Sequence, residues 1–152
     1  MRDTCPKVAR ENVETIRWLY DQFAQGNFWA AREVIDPAIE WEWSASMLEV
    51  VGGRRTTYTG LEGVESALRD WLQVWDWFWV EADELLPAGD KVVAAIRRRG
   101  RPKGSELEVE TTGFDVWTMK DGKAIHYKTY DDRQEALGAV GLASAPKLES
   151  PG

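Results

Sequence analysis

Asp115 is the acidic residue whose sequence context best suits a role in chemistry. It lies within Leu107 to Met119, a stretch of alternating residues that is typical of a β-strand. The odd-numbered residues form the more apolar face of this strand, so we expect Asp115 to point inward beside Trp117. Apolar surroundings raise the pKa of a carboxyl group and suit it to act as a general acid or hydrogen-bond donor. The alternative is a bulge at Gly113 that turns Asp115 toward solvent.

Arg97 is a second candidate and lies on the preceding predicted strand, Lys91 to Arg99. The odd-numbered and the even-numbered residues of this strand both start with apolar side chains, so alternation does not indicate which set points inward. A buried Arg97 needs an acidic partner, and Asp115 on the neighbouring strand is available. Such a pair would keep Asp115 ionised, as a base or positioning group. The alternative places Arg97 at a solvated strand end, and the sequence leaves these interpretations open.

Tyr127 and Thr129 share one face of the last predicted strand, Ala124 to Tyr130. We expect this face to meet a pocket, where the Tyr127 hydroxyl would donate a hydrogen bond to a ligand. The alternative is a tyrosine whose ring packs in the core and whose hydroxyl meets backbone or water. His126 is the sole histidine and suits acid/base chemistry by its type. His126 lies on the opposite face of the predicted strand from Tyr127 and Thr129, which predicts an exposed or dimer-face position instead.

The sequence contains nine tryptophans, which predicts thick aromatic packing or a large pocket with aromatic walls. Two of them, Trp43 and Trp75, lie near the junction of predicted helices and strands, where a pocket wall is expected. For each tryptophan singly, plain core packing is the alternative. Together with tyrosines on the first helix and on a long connection, the predicted ligand contacts are Trp43, Trp75, Trp117, Thr129, Tyr20 and Tyr58.

The sequence shows no pattern for a metal or a cofactor. With one histidine and one cysteine, His126 and Cys5, neither a zinc cluster nor a cysteine–histidine nucleophile pair is predicted. There is no phosphate-binding loop and no dinucleotide fingerprint. We therefore expect any reaction to proceed without a cofactor.

The 152 residues fit one domain, which we place at 11–142, with a loose N-terminus at 1–10 and a flexible tail at 143–152. The net charge of −7 argues against nucleic acid or membrane as partners, because phosphate binding needs Lys and Arg. The basic run from Arg97 to Lys103 is interpreted as a strand end and hairpin. A single cysteine excludes an internal disulfide, and no stretch is apolar enough for a signal core or membrane span. These features predict a cytoplasmic location.

The predicted elements run helix, helix, strand, helix and then four strands. Helical spacing of apolar residues predicts three helices, at 12–23, 28–35 and 60–75. Period-two alternation and turn residues predict five strands, at 39–43, 77–86, 91–99, 107–119 and 124–130. Residues 44–59 are expected to form an irregular connection around Gly52-Gly53. Short turns force the late strands to pair antiparallel, and helices gathered on one side make the fold α+β.

This order resembles the SnoaL-like branch of the nuclear-transport-factor-2-like superfamily. The resemblance covers about residues 11–142 and is carried by Gly26-Asn27-Phe28, Tyr58 to Val64, Gly89 to Val92, Val116 to Lys123 and Tyr130 to Arg133. It implies a cone-shaped, strongly curved, mixed or antiparallel sheet whose concave face is covered by three N-terminal helices, the cystatin-like roll, with a deep pocket between them. It also implies a homodimer through the other sheet face, where Phe114, Val116 and Tyr130 lie by phase.

Members of this superfamily include ketosteroid isomerases, limonene-type epoxide hydrolases, polyketide cyclases, dehydratases and non-catalytic binding proteins, so the fold transfers better than the reaction. By resemblance, Asp115 takes the position of the oxyanion-binding carboxyl of the isomerases, and Arg97 that of the pocket arginine of the epoxide hydrolases. Neither match is complete. Arg99 and Thr129 stand where the hydrolases have carboxylates, and Trp43 stands where the isomerases have their base.

The sequence therefore predicts a pocket for a hydrophobic, cyclic small molecule. In a catalytic protein, Asp115 would transfer the proton, while Arg97 and Tyr127 would position it or the developing oxyanion. The reaction would be of the cyclase, dehydratase, isomerase or epoxide hydrolase type. The missing second carboxylate favours an alternative, a non-catalytic ligand-binding module of the same fold. A third possibility is a dimeric interaction module whose pocket is filled core.

Overall fold

The computed structural model describes residues 5–50 and 57–141. Gly52-Gly53 and the predicted tail at 143–152 lie outside the described residues. The helical elements are α1 at Pro6–Ala24, a 3₁₀ helix at Phe28–Glu33, α2 at Ala45–Val50, α3 at Gly60–Leu72 and α4 at Arg133–Ala139. The strands are β1 at Ile35–Glu42, β2 at Thr57–Thr59, β3 at Trp75–Ala88, β4 at Lys91–Pro102, β5 at Val109–Lys120 and β6 at Lys123–Tyr130.

Helix α1 forms because its apolar residues recur on one face and become buried, among them Val13, Ile16 and Tyr20. It ends before Gly26, whose φ of +86° is a conformation that glycine adopts without strain. The expected loose segment at residues 1–10 is wrong for residues 6–10, since the helix begins at Pro6. Proline is tolerated in the first turn of a helix because its missing N–H has no partner there.

The six strands form one mixed sheet in the order β2-β1-β6-β5-β4-β3. Neighbouring strands are antiparallel except β1 and β6, which are parallel. The predicted antiparallel meander from β3 to β6 is confirmed, and its tight turns contain Gly89 and Asp121-Gly122, which all have positive φ. Bulges in the β1–β6, β3–β4 and β5–β6 ladders add local bends to the sheet.

Several predicted boundaries are wrong. Residues 44–59 are not wholly irregular, because 45–50 form α2 and 57–59 form β2. Helix α3 ends at Leu72 rather than Trp75, since Trp75 already pairs with Pro102 at the start of β3. Strand β5 begins only at Val109, and Leu107, expected on the pocket face, is 74% exposed.

Helices α1 and α3 cover one face of the sheet, which we call the inner face, through contacts with β3, β4 and β1. The main core lies between these two layers and contains most of the buried aromatic residues. Helix α4 packs on the opposite, outer face, where Ala136 contacts buried Val93 and Val116. The predicted α+β architecture with a mixed sheet is confirmed, and α1 and α3 cover one face of it as expected. Helix α4 departs from the expected gathering of helices on one side, because it covers the apolar residues of the outer face. No helix within residues 5–50 and 57–141 combines the length and apolar character that crossing a membrane requires.

Candidate functional site

Asp115 is 3% exposed and lies in a small inner pocket of about 50 Å³ beneath α1. Its two carboxylate oxygens accept hydrogen bonds from the hydroxyl groups of Tyr20 and Tyr127, the latter at 3.2 Å. The indole N–H of Trp117 donates to the Tyr20 hydroxyl oxygen at 3.0 Å. These contacts join α1, β5 and β6 around one carboxyl group.

The strand register explains why Asp115 points inward. Asp115 is paired with Ala94 on β4 and with Thr129 on β6, and both partners are buried. The β4–β5 ladder continues without a shift from Lys91 to Gly100, so the bulge considered at Gly113 does not occur. The structure thus brings together Asp115 and Tyr127, which strand alternation predicts on inner faces, and Tyr20, which the helical spacing of α1 predicts in its apolar stripe.

Burial raises the pKa of Asp115 from 3.8 to about 6, while the charge of Arg98 and the hydrogen bonds from Tyr20 and Tyr127 act in the opposite direction. Burial also raises the pKa of both tyrosines well above 10, and the nearby Asp115 charge adds to this effect. Both hydroxyl groups therefore stay protonated and donate at neutral pH. Asp115 itself can gain or lose a proton near neutral pH, which suits proton transfer.

The prediction of Arg97 in the pocket is wrong. Arg97 lies on the outer face, with its guanidinium 2.9 Å from Asp83 and 3.5 Å from Glu81, and over the ring of Trp79. Arg98, 7% exposed, occupies the inner face instead. The two sets of β4 residues both begin apolar, and the loop between β4 and β5 is too long to fix their register, so no local signal distinguishes the two arginines.

Arg98 lies where the inner pocket meets a second, larger cavity of about 590 Å³. We call this second space the outer cavity; the name does not refer to the outer face of the sheet. The walls of both spaces include Arg98, Met47 of α2 and Trp71 of α3. Its guanidinium donates to the Thr111 hydroxyl at 3.3 Å and lies 3.4 Å from the Met47 sulfur. Sequence reasoning missed both Arg98 and Met47, because the latter belongs to a helix that was not predicted.

The other predicted ligand contacts divide into two groups. Trp43 lines the inner pocket and Trp75 lines the outer cavity. Trp117, Thr129 and Tyr58 are buried, but they do not belong to the described lining of either space. The Trp117 indole N–H donates to the Tyr20 hydroxyl, and the Thr129 hydroxyl accepts a hydrogen bond from the Ser44 backbone N–H. The Tyr58 hydroxyl donates to the Asp70 carboxylate at 3.0 Å. These three side chains support the pocket wall from behind.

His126 lies on the outer face, away from the Asp115 pocket. Its Nε2 is 2.6 Å from a carboxylate oxygen of Glu42. Ligand atoms of Glu40, Glu42 and His126 lie within 4.8 Å of one another, a spacing that suits a divalent cation. The Lys128 ammonium is 3.8 Å from the same Glu42 carboxylate, so it would compete with a cation there.

A family profile described as the SnoaL-like domain matches residues 16–127, the part of the chain that holds the inner pocket and β4 to β6. The chain belongs to the SnoaL-like family. No curated protein matches the sequence. The match covers Tyr20, Arg98, Asp115 and Tyr127, so the whole polar cluster lies within the SnoaL-like domain.

Solved structures show the same fold. TerC, co-crystallised with polyporic acid, is 23% identical with a TM-score of 0.70, over 86% of this chain and 97% of TerC. A nuclear-transport-factor-2-like protein of Burkholderia pseudomallei is 19% identical with a TM-score of 0.70, over 86% of this chain and 98% of that protein. A protein from Jannaschia sp. CCS1 classed as a SnoaL-like polyketide cyclase is 20% identical with a TM-score of 0.67, over 92% and 97% of the two chains. The nuclear-transport-factor-2-like fold implied by the sequence is therefore confirmed.

Replacing Tyr20 with phenylalanine is expected to raise the pKa of Asp115 above about 6, because the mutation removes a hydrogen bond that stabilises the charged carboxylate. A hydrogen bond to a charged group is typically worth about 1.5–3 kcal/mol, which sets the scale of the change. Carboxyl carbon shifts of Asp115, followed by NMR against pH, measure it. Tyr130→Phe on the other sheet face is the control and should leave the titration unchanged. A constant or lowered pKa in Tyr20→Phe would contradict the prediction.

The raised pKa of Asp115 should also make stability depend on pH. Between pH 3.8 and about 6, the folded protein binds more protons at Asp115 than the unfolded chain does. The free energy of unfolding therefore falls as pH rises through this window, by up to about 3 kcal/mol from this group. Asp115→Asn lacks this titration, so its stability relative to the wild type should increase from pH 4 to pH 7. Urea unfolding of both proteins at four pH values tests this, and a constant difference would contradict it.

Proposed function

We propose that this SnoaL-like protein binds a hydrophobic, cyclic small molecule in the two adjoining cavities and catalyses cofactor-free acid/base chemistry on it. The reaction would be of the cyclase, dehydratase, isomerase or hydrolase type, with Asp115 as the proton-transfer group. One observation carries the proposal: a carboxyl group that is 3% exposed, with its pKa raised to about 6, lies in a pocket walled by aromatic rings.

The proposed step is a proton transfer at a carbon beside a ligand carbonyl. The Asp115 carboxylate removes the proton, the C–H electron pair moves toward the carbonyl oxygen, and an enolate forms. Arg98 replaces Arg97 in the predicted role and stabilises the negative oxygen through its N–H groups. Tyr20 and Tyr127 hold the Asp115 carboxyl in place through their hydroxyl groups. The protonated Asp115 then returns the proton to another atom of the ligand.

The comparisons support a small organic ligand. TerC was crystallised with polyporic acid, and the Jannaschia protein is classed as a polyketide cyclase. The outer cavity of this chain, about 590 Å³, is of a size that holds a ligand of several rings. Its wall contains aromatic and aliphatic side chains, including Trp71, Trp75 and Val74.

The test is a screen of hydrophobic cyclic ketones and acids, with product detection by mass spectrometry and binding detected by calorimetry. Wild type and Asp115→Asn are compared on each compound. Turnover by the wild type that is lost in Asp115→Asn supports an enzyme. Turnover that Asp115→Asn retains would remove Asp115 from the mechanism.

A second candidate function is ligand binding without catalysis. Asp115 is the one carboxylate in the described lining of the inner pocket, so this lining lacks the second carboxylate that the resemblance to the epoxide hydrolases and isomerases implies. Glu42, which precedes Trp43 in the sequence, lies on the outer face beside His126 and so does not supply this second carboxylate. Saturable binding of several compounds without any product would favour this function.

The proposal includes a homodimer formed through the outer sheet face and a cytoplasmic location. Val116, predicted on the dimer face, is covered by α4 of its own chain, so the contact would lie around half-buried Phe114 and Tyr130. Cys5 is free and exposed, which agrees with a reducing compartment. Sedimentation equilibrium at micromolar concentration should give twice the chain mass of 17.3 kDa, and a mass of one chain would contradict the dimer.

A further inference from the structure

Arg98 is a buried cation whose direct partners are neutral. Its side chain is 7% exposed, and its guanidinium contacts the Thr111 hydroxyl and the Met47 sulfur. Among residues 5–50 and 57–141, no ion pair includes Arg98, although Arg97 on the same strand is within 4.0 Å of three carboxylates. A buried charge is costly unless it is paired and hydrogen-bonded. Arg98 therefore has donor capacity left for a ligand.

Gly113 provides the space in which the Arg98 guanidinium lies. A Cβ atom added at Gly113 would be 2.6 Å from Nη2 of Arg98 and 3.2 Å from its Cζ and Nη1. Gly113 is an ordinary strand residue on β5, paired with Ile96, and it is not among the residues with positive φ. The glycine is thus needed here for the close approach of the guanidinium, not for an unusual backbone conformation.

The space next to Arg98 suits the hydrocarbon part of a ligand. The outer cavity has Arg98 in its wall, together with apolar side chains of α2, β3, β4 and β5, namely Met47, Val50, Trp75, Pro102 and Val109. The buried indole N–H groups of Trp43 and Trp75, which line the two spaces, have no acceptor among the described residues. Buried polar groups are usually hydrogen-bonded, and the acceptor oxygens of a ligand in these spaces would give such donors a partner.

We propose that the ligand is a hydrophobic aromatic acid that arrives ionised and binds through its anionic oxygens to Arg98 above Gly113, with its rings in the outer cavity. This names the ligand class of the proposed site and rests on that proposed function. A planar guanidinium forms two parallel hydrogen bonds with a carboxylate, which gives both affinity and orientation. The acid group is thereby held at the junction of the cavities, next to Asp115.

Binding of the anion should be coupled to proton uptake by Asp115. The charged groups in the described lining of the two spaces are Arg98, Arg99, Asp115 and Asp131, with Tyr20 and Tyr127 as further titratable groups. A second anion beside Asp115 disfavours its charged form and competes for Arg98. At pH 7 part of the complex should therefore take up a proton at Asp115, and the part in which Asp115 stays ionised carries out the proton removal proposed above.

Isothermal titration calorimetry with matched probes tests the proposal. The probes are naphthalene-2-carboxylate and biphenyl-4-carboxylate, each compared with its neutral carboxamide of the same shape. We expect the wild type to bind each acid at least about 10-fold more tightly than its amide. This preference should fall to about 2-fold or less in Arg98→Gln and in Gly113→Ala. Arg97→Gln, on the outer face of the same strand, is the control and should keep the full preference.

Proton uptake is measured by repeating the titrations in buffers of different ionisation enthalpy. We expect uptake with the acids in the wild type, and none with the amides or with Asp115→Asn. Circular dichroism of each variant checks that the fold is retained. Because Gly113→Ala displaces Arg98 without removing it, this variant tests the site even where Arg98→Gln folds poorly.

The outcomes separate this inference from the proposed function. Equal affinity for acid and amide in the wild type would overturn the anionic ligand, while the hydrophobic pocket would stand. An acid preference that survives both Arg98→Gln and Gly113→Ala would also overturn it. No binding of any probe, together with Asp115-dependent turnover of a neutral compound, would reject the inference and leave the enzyme in place. No binding and no turnover at all would reject both.

Discussion

Asp115→Asn is expected to lower the turnover number about 10²- to 10⁴-fold on any compound that the wild type converts, the range for loss of a general acid or base. Asparagine has nearly the same shape as aspartate, so Tyr20 and Tyr127 keep a neighbour of the same size. It cannot accept or release a proton, however. The binding affinity should change much less than the rate, because the rings of the ligand bind in the outer cavity.

The pH dependence of the wild-type rate gives an independent measure. If Asp115 acts first as a base, kcat/KM should rise with pH through the pKa of about 6 and then level off. Asp90→Asn, in the exposed turn before β4, is the matched control and should keep both rate and profile. A wild-type profile that is flat between pH 5 and 7 would argue against this role for Asp115.

The part of the site that follows from local sequence patterns was predictable. Alternation over β5 and β6 places Asp115 and Tyr127 on inner faces, and the helical spacing of α1 places Tyr20 in its buried stripe. The turn residues at Gly89 and at Asp121-Gly122 fix which of these strands are neighbours. Each of these inferences needs only contacts between residues that are close in the sequence.

The part that depends on register or on distant pairing was not predictable. Arg98 rather than Arg97 faces inward because β4 pairs with β5 in one particular register, and the loop between them, which includes Gly104, does not dictate it. Strand β1 lies parallel to β6, which no short turn encodes. The role of Gly113 was not predictable either. A glycine within a strand usually indicates a bend or bulge, and only the structure shows that the Arg98 guanidinium lies against Gly113.

The catalytic geometry depends on the aromatic core behind it. Trp117 is fully buried, with ring centroids 4.5 Å from Tyr127, 5.8 Å from Trp41 and 6.2 Å from Tyr20. It thus contacts both tyrosines that bind Asp115, and its N–H orients one of them. The position of the Asp115 hydrogen-bond donors and the stability of the fold therefore rest on the same side chain.

Trp117→Ala should lower the free energy of unfolding by about 3–5 kcal/mol, because it removes a large buried ring and leaves a cavity. The midpoint of thermal unfolding should fall by roughly 10 °C in a chain of this length. Trp117→Phe retains most of the ring and loses the hydrogen bond to Tyr20, so its cost should be smaller, about 1–2 kcal/mol. Urea and thermal unfolding followed by circular dichroism measure both variants.

Trp18 supplies the matched control, since it is a tryptophan on the outer side of α1 and is 41% exposed. Trp18→Ala should change the free energy of unfolding by no more than about 0.5 kcal/mol, the usual range for surface substitutions. Equal effects at Trp18 and Trp117 would contradict the buried position of Trp117. An upward shift of the Asp115 pKa in folded Trp117→Phe would show that the indole N–H acts on the carboxyl through Tyr20. Without the indole N–H, the Tyr20 hydroxyl is freer to turn away from Asp115, whose charged form then loses a hydrogen bond.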